Sequence, residues 1–212
     1  MKKILLLLLL TCGTFLHAAT GCLLVQSGDM NVTWRAYKTF AKLGVDGQFT
    51  AVKYTPIAKE GKNFKALFVG STVSIDSTKI STGNPDRDDT LVRMFFKKLK
   101  NPTIKAKIVS ITSDAHVRGK PRTGVMQTTI TFNDKSIGIP MKFHYEKGHL
   151  QANGTIDLFD FEAKVPLTTI NKSCYDLHGG KTWNDVNIGF STTIEATLCN
   201  AKIKSRTELE NK

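Results

Sequence analysis

The chain has 212 residues, 41% of them hydrophobic, 8% aromatic and 23% charged, with 16 Gly and 6 Pro. That composition excludes a collagen, a disulfide-dense miniprotein and a disordered tail. Thirty Lys+Arg against eighteen Asp+Glu give a net charge of +12, on a length that can bury a core or enclose a ligand cavity.

Met1-Lys2-Lys3 is a positive start, followed by the apolar run Ile4–Leu10 and small residues at Ala18, Ala19 and Gly21. This layout reads as a secretory signal peptide over residues 1–21, too short to span about 30 Å of hydrocarbon. It predicts export to an oxidising compartment, and the Lys-Lys start fits a bacterial periplasm. Cleavage after Gly21 leaves Cys22 first, which keeps open a lipid-modified thiol.

Beyond the signal the chain reads as strands with turn punctuation. The strand runs are Met30–Tyr37, Gly47–Tyr54, Phe64–Ile75, Thr103–Ser113, Val125–Phe132, Ser136–Tyr145, His149–Ala163 and Asp185–Leu198. Asn133-Asp134-Lys135 and Glu146-Lys147-Gly148 mark hairpin turns, and the alternation argues an antiparallel sandwich or barrel. One segment breaks the period. Asn84 is an N-cap, Pro85 the first helical position, and Asp86, Asp88 and Asp89 occupy the first turn. Leu91, Val92, Phe95 and Phe96 then form an apolar stripe, and Asn101-Pro102 stops the helix. A second short helix is expected at Lys38–Lys42.

Cys12 leaves with the signal, so Cys22, Cys174 and Cys199 remain. If the first and last strands pair antiparallel to close an up-and-down barrel, Cys22 and Cys199 come together and a disulfide would lock the seam. Cys174–Cys199 is the rival, required if Cys22 carries lipid. No helix N-terminus or neighbouring His is evident for Cys174, so a catalytic thiol is not expected.

His144 and His149 bracket a turn with no third ligand beside them, so no metal is expected. No nucleophile elbow, P-loop or metalloprotease motif occurs, and Asp157, Asp160 and Glu162 read as a solvated face. Neither a catalytic residue nor a cofactor is predicted. The basic clusters Lys97-Lys98-x-Lys100 and Arg118-x-Lys120-x-Arg122 lack the interleaved aromatics of a nucleic-acid surface; they suit anionic lipid headgroups better.

The stretch Ile80-Ser81-Thr82-Gly83-Asn84-Pro85-Asp86-Arg87-Asp88-Asp89-Thr90-Leu91, with Phe95-Phe96 and Pro102 after it, resembles the central motif of the YceI-like family. The likeness runs from Gly47-x-Phe49 through the hairpins of residues 125–163 to the last strand, about residues 23–198 in all. Thr90 stands where the family usually has His. The resemblance implies an all-β fold over residues 22–199, an eight-stranded antiparallel lipocalin-like barrel with one helix (about 85–98) covering part of the lumen, then a polar tail at 200–212. It also implies an exported, non-enzymatic protein, a homodimer, that binds, transports or sequesters a long-chain amphiphile, either a polyisoprenoid or a fatty acid derivative.

Strand alternation selects the lumen-facing, ligand-binding set: Trp34, Phe49, Val73, Ile75, Ile104, Ile108, Ile130, Phe132, Met141, Phe143, Ile156, Leu158, Ile188 and Phe190, joined by Leu91, Phe95 and Phe96 of the helix. Two other readings stay open. One is an enzyme or redox partner acting on isoprenoid quinones, which needs a reactive group in the lumen. The other is a stress-response interaction module with a filled core.

Overall fold

A computed structural model describes residues 23–197. The signal segment 1–21, the tail 200–212 and the pair Cys22 and Cys199 lie outside the described residues. The elements run β1 (Leu23–Gln26), β2 (Asn31–Lys38), β3 (Leu43–Phe49), β4 (Val52–Thr55), β5 (Glu60–Gly61), α1 (Phe64–Phe68), β6 (Thr72–Asp76), β7 (Ile80–Ser81) and α2 (Pro85–Met94). A 3-10 turn (Phe96–Lys98), β8 (Thr103–Ser113), β9 (Arg122–Phe132), β10 (Lys135–Glu146), β11 (His149–Asp157), α3 (Lys164–Ser173), α4 (Tyr175–His178) and β12 (Asp185–Thr197) complete the series.

The strands form one antiparallel sheet in the order β4-β6-β8-β9-β10-β11-β12-β2-β3-β7. Its two ends meet. β3 and β4 are one strand bent at Thr50-Ala51, and β6 and β7 are one strand interrupted at residues 77–79. Across the break Thr50 N donates to Lys79 O at 2.8 Å and Asp76 N to Ala51 O at 3.4 Å, so the sheet curls into a lipocalin-like barrel. The strand count differs from eight for a local reason: two barrel strands are split by these bends, and β1 with β5 forms a flap on β12.

Aromatic and aliphatic side chains close one end. Phe64, Leu67 and Phe68 of α1 are buried there, with Phe64 edge-on to Phe143 (5.6 Å) and Tyr145 (5.1 Å). At the other end Phe95 packs on Phe96 (5.2 Å) and Phe132 (6.4 Å), and Phe132 on Phe161 (5.7 Å). Asn133, buried with a left-handed φ of 50°, ties this end together: its Oδ1 accepts from Lys100 N and its Nδ2 donates to Phe161 O.

Four expectations are corrected. Phe64–Ile75 is not one strand: Asn63 Oδ1 accepts from Ala66 N at 2.8 Å and caps α1, and the strand begins only at Thr72. The run from His149 ends at Asp157, whose Oδ1 accepts from Phe159 N and turns the chain. Residues 38–42 are a hairpin turn rather than a helix, with left-handed φ at Thr39 and Lys42. The barrel carries α1, α3 and α4 besides the expected helix. That helix starts as predicted, with Asn84 Oδ1 accepting from Arg87 N, and finishes as the 3-10 turn.

Candidate functional site

Between the α1 plug and the α2–α4 end, the barrel encloses a cavity of about 540 Å³. Pleating decides its walls: alternate residues of each strand point inward, so β8 offers Ile104, Ala106 and Ile108 and β9 offers Thr128, Ile130 and Phe132. Trp34, Phe49, Val73, Ile75, Met141, Ile156, Leu158, Ile188 and Phe190 face the same space, as do Leu91, Phe95 and Phe96. Phe143 does not; it lies in the plug against Phe64, 2% exposed. α2 itself buries no residue, because its apolar stripe looks into a cavity instead of a packed core.

Part of the wall comes from residues absent from the expected set. Leu167, Ile170 and Cys174 line it from α3 and its end, and Leu177 and His178 from α4. Their i, i+3, i+7 spacing from Leu167 is a helical signal, masked by the β-branched run around Pro166. Inward-facing hydroxyls also line the space: Tyr54, Ser71 and Thr128.

Polar groups gather at the rim. Asn84, Asp86, Arg87 and Thr90 come from the start of α2, Tyr37 and Lys38 from the end of β2, and Thr182 and Trp183 from the loop before β12. Trp183 is fixed: Nε1 donates to Thr39 O at 2.8 Å, and the ammonium groups of Lys42 and Lys181 lie 4.9 and 4.6 Å from its ring. Phe40 (78% exposed) and Leu177 (74%) stand out from the same end, with Leu43 and Tyr175 also exposed.

Cys174 and His178 share the rim, one helical turn apart, and Cys174 is the N-cap of the short α4, so both a His and a helix start do neighbour this thiol. They do not make an activated pair. Burial pushes the Cys174 thiol up, toward its protonated form, and pushes His178 down, toward neutral imidazole. Thr182 Oγ1 donates to Asn171 Oδ1 and therefore receives the His178 Nδ1 proton at 2.7 Å. Cys174 forms no disulfide among the described residues. No three His, Cys, Asp or Glu side chains gather into a metal-binding group among them, and no described helix is long and apolar enough to cross a membrane.

The family model described as the YceI-like domain matches residues 25–194. No curated protein matches the chain. Among solved structures, a polyisoprenoid binding domain from Saccharophagus degradans implicated in plant cell wall breakdown superposes with a TM-score of 0.54 at 11% identity, covering 82% of this chain and 98% of that one. BcnA of Burkholderia cenocepacia gives 0.48 at 13% identity, over 80% of this chain and 99% of its own. A YceI protein of Campylobacter jejuni gives 0.48 at 20% identity, over 72% and 85%.

Proposed function

Because this chain belongs to the YceI-like family, we propose that it binds one long-chain amphiphile, a polyisoprenoid or a fatty acid derivative, in the barrel cavity. One observation carries the reading: the sheet surrounds about 540 Å³ of unfilled, mainly apolar space that opens at one end. Packed interiors leave few voids larger than a water molecule, and ligand sites usually span roughly 300–1,000 Å³. A filled-core interaction module is therefore disfavoured. The proposal is binding, transport or sequestration without catalysis, in keeping with a Cys174 thiol that burial pushes toward its protonated form. The polyisoprenoid named for the Saccharophagus degradans domain supports the same ligand class.

In this proposal the signal segment delivers the protein to the periplasm, where it acts as a homodimer and meets anionic membrane surfaces through its rim. Phe40, Leu43, Tyr175 and Leu177 supply apolar side chains there, and Lys38, Lys42 and Lys181 supply charge. Native mass spectrometry of protein isolated from the periplasm tests the core claim. The expected result is one lipid per chain, recovered by organic extraction. A protein that yields no lipid, and takes up none from vesicles containing phosphatidylglycerol and an isoprenoid alcohol, overturns it.

A further inference from the structure

The cavity wall is apolar, yet its deeper half holds hydroxyls without partners. Thr128 Oγ1 is shielded from solvent and makes no hydrogen bond, and Tyr54 Oη is shielded with only the Ser71 hydroxyl beside it, short of a well-formed hydrogen bond. Thr128 is 3% exposed and Ser71 1%. These groups belong to neighbouring inward positions. Tyr54 opposes Val73 in the β4–β6 ladder, two residues from Ser71 on the same face. Ile108 N donates to Ser71 O, and Ile108 opposes Thr128. Ser71 N donates to Phe68 O, which places the row beside the α1 plug, at the closed end. Ser71 Oγ already accepts from Ile57 N at 3.0 Å, which leaves its proton to donate.

A buried hydroxyl without a partner is costly, and native proteins keep few of them. Two of them at neighbouring inward positions of one cavity point to a bound group that completes them. Charged residues lining the cavity, Lys38, Asp86 and Arg87, all stand at the rim. An ionised headgroup at the closed end would meet only neutral donors and would lose its hydration uncompensated.

We propose, building on the lipid-binding reading above, that the closed end recognises an uncharged oxygen- or nitrogen-bearing end group: a hydroxyl, carbonyl or amide. The chain enters with that polar end first. Tyr54, Ser71 and Thr128 then donate to or accept from the end group, while the hydrocarbon fills the apolar mid-section. Selection among lipids of equal chain length falls to this end of the cavity.

The test compares hexadecan-1-ol with heptadecane, in which a methyl group replaces the hydroxyl, by native mass spectrometry competition on the full mature protein. Tyr54→Phe and Thr128→Val are near-isosteric; Thr128→Val removes an unpartnered hydroxyl and Tyr54→Phe one with only Ser71 beside it, so both variants should fold with nearly undiminished thermal stability. Each should lower the alcohol-over-alkane preference by roughly 2- to 10-fold, and the double variant should nearly erase it. If both ligands bind and the variants leave the preference unchanged, the closed-end site is wrong while lipid binding stands. If neither ligand binds the wild type, both ideas fall together.

Discussion

The indole of Trp34 lies directly over Gly47 on the neighbouring strand: a Cβ built on Gly47 would sit 2.2 Å from Trp34 Cζ2 and 2.5 Å from Cε2. β2 and β3 pair these two residues, and the missing side chain makes room for one of the two indoles that line the cavity. Gly47→Ala should push the indole into the cavity or break the pairing, at a cost of about 1–3 kcal/mol. Denaturant unfolding should show the loss, and the emission of Trp34, one of only two tryptophans, should shift. Unchanged stability and emission would contradict the packing described.

Narrowing the lumen separates an open cavity from a core. Ile130 faces the middle of the space and is 7% exposed. Ile130→Trp fills volume that the ligand is proposed to occupy, so co-purified lipid should disappear with only a modest drop in melting temperature. A packed core would instead suffer about 1–3 kcal/mol of overpacking strain. Unfolding of the variant, together with lipid-free wild type, would mark the lumen as filled.

Asn133 joins two elements that the strands do not connect. Asn133→Ala leaves the Lys100 N–H and the Phe161 carbonyl without their partners and puts alanine at a left-handed φ. A loss of about 2–4 kcal/mol is expected, measured by chemical denaturation. A change below about 0.5 kcal/mol would mean that the two groups find other partners.

Glu162 sits between Lys100 (2.9 Å) and Lys135 (2.7 Å), and hydrogen bonds from these two ammonium groups hold its carboxyl down at about 2 from an ordinary 4.5. Its ionised form favours the folded state at every pH above about 4.5, and that contribution fades as pH falls toward 2. The three side chains are about half exposed, so salt should weaken the effect. Melting temperature followed from pH 5 to pH 2 should fall less steeply in Glu162→Gln than in the wild type. Parallel curves would remove Glu162 from the acid response.

The β1–β12 ladder runs as far as Leu23 opposite Thr197, one residue short of Cys22 and two short of Cys199. Both cysteines lie outside the described residues, and a Cys22–Cys199 disulfide is the proposed bond, with Cys174 reduced. Such a loop spans nearly the whole chain and contributes roughly 4–5 kcal/mol in the unfolded-state model. Non-reducing peptide mapping of the exported protein checks it; a bridge to Cys174, or lipid on Cys22, would refute it.

Strand alternation was most legible where one face is buried over many residues. β8 keeps the predicted bounds Thr103–Ser113, and the hairpin at Asn133-Asp134 appears with left-handed φ at both positions. Phe64, Leu67, Phe68 and Val69 form an apolar run that suits a strand as well as a helix, so the sequence alone does not separate α1 from the strand after it. Asn63 decides between them through a cap that only the folded chain displays. α3 was hidden by Val165, Pro166, Thr168 and Thr169, residues of low helix propensity that packing of Leu167 and Ile170 overrides. The closed-end hydroxyls were invisible for another reason: alternation gives a residue's face, but only the ladder shows that Tyr54, Ser71 and Thr128 share one part of the lumen.

The junction of β2 with β12 joins Arg35 to Asn187, partners more than 150 residues apart in the chain. Every other barrel ladder links segments far closer in the chain, either directly by a hairpin or across a short helical insertion. An incomplete chain, still lacking its last strand, is therefore an open sheet with two unpaired edges and its apolar inner face uncovered. During synthesis this is the form most exposed to self-association, and it persists until Asp185–Thr197 docks. Ring closure at this ladder therefore carries the largest loop-closure entropy in the barrel, and each molecule must pass through it before the cavity is enclosed.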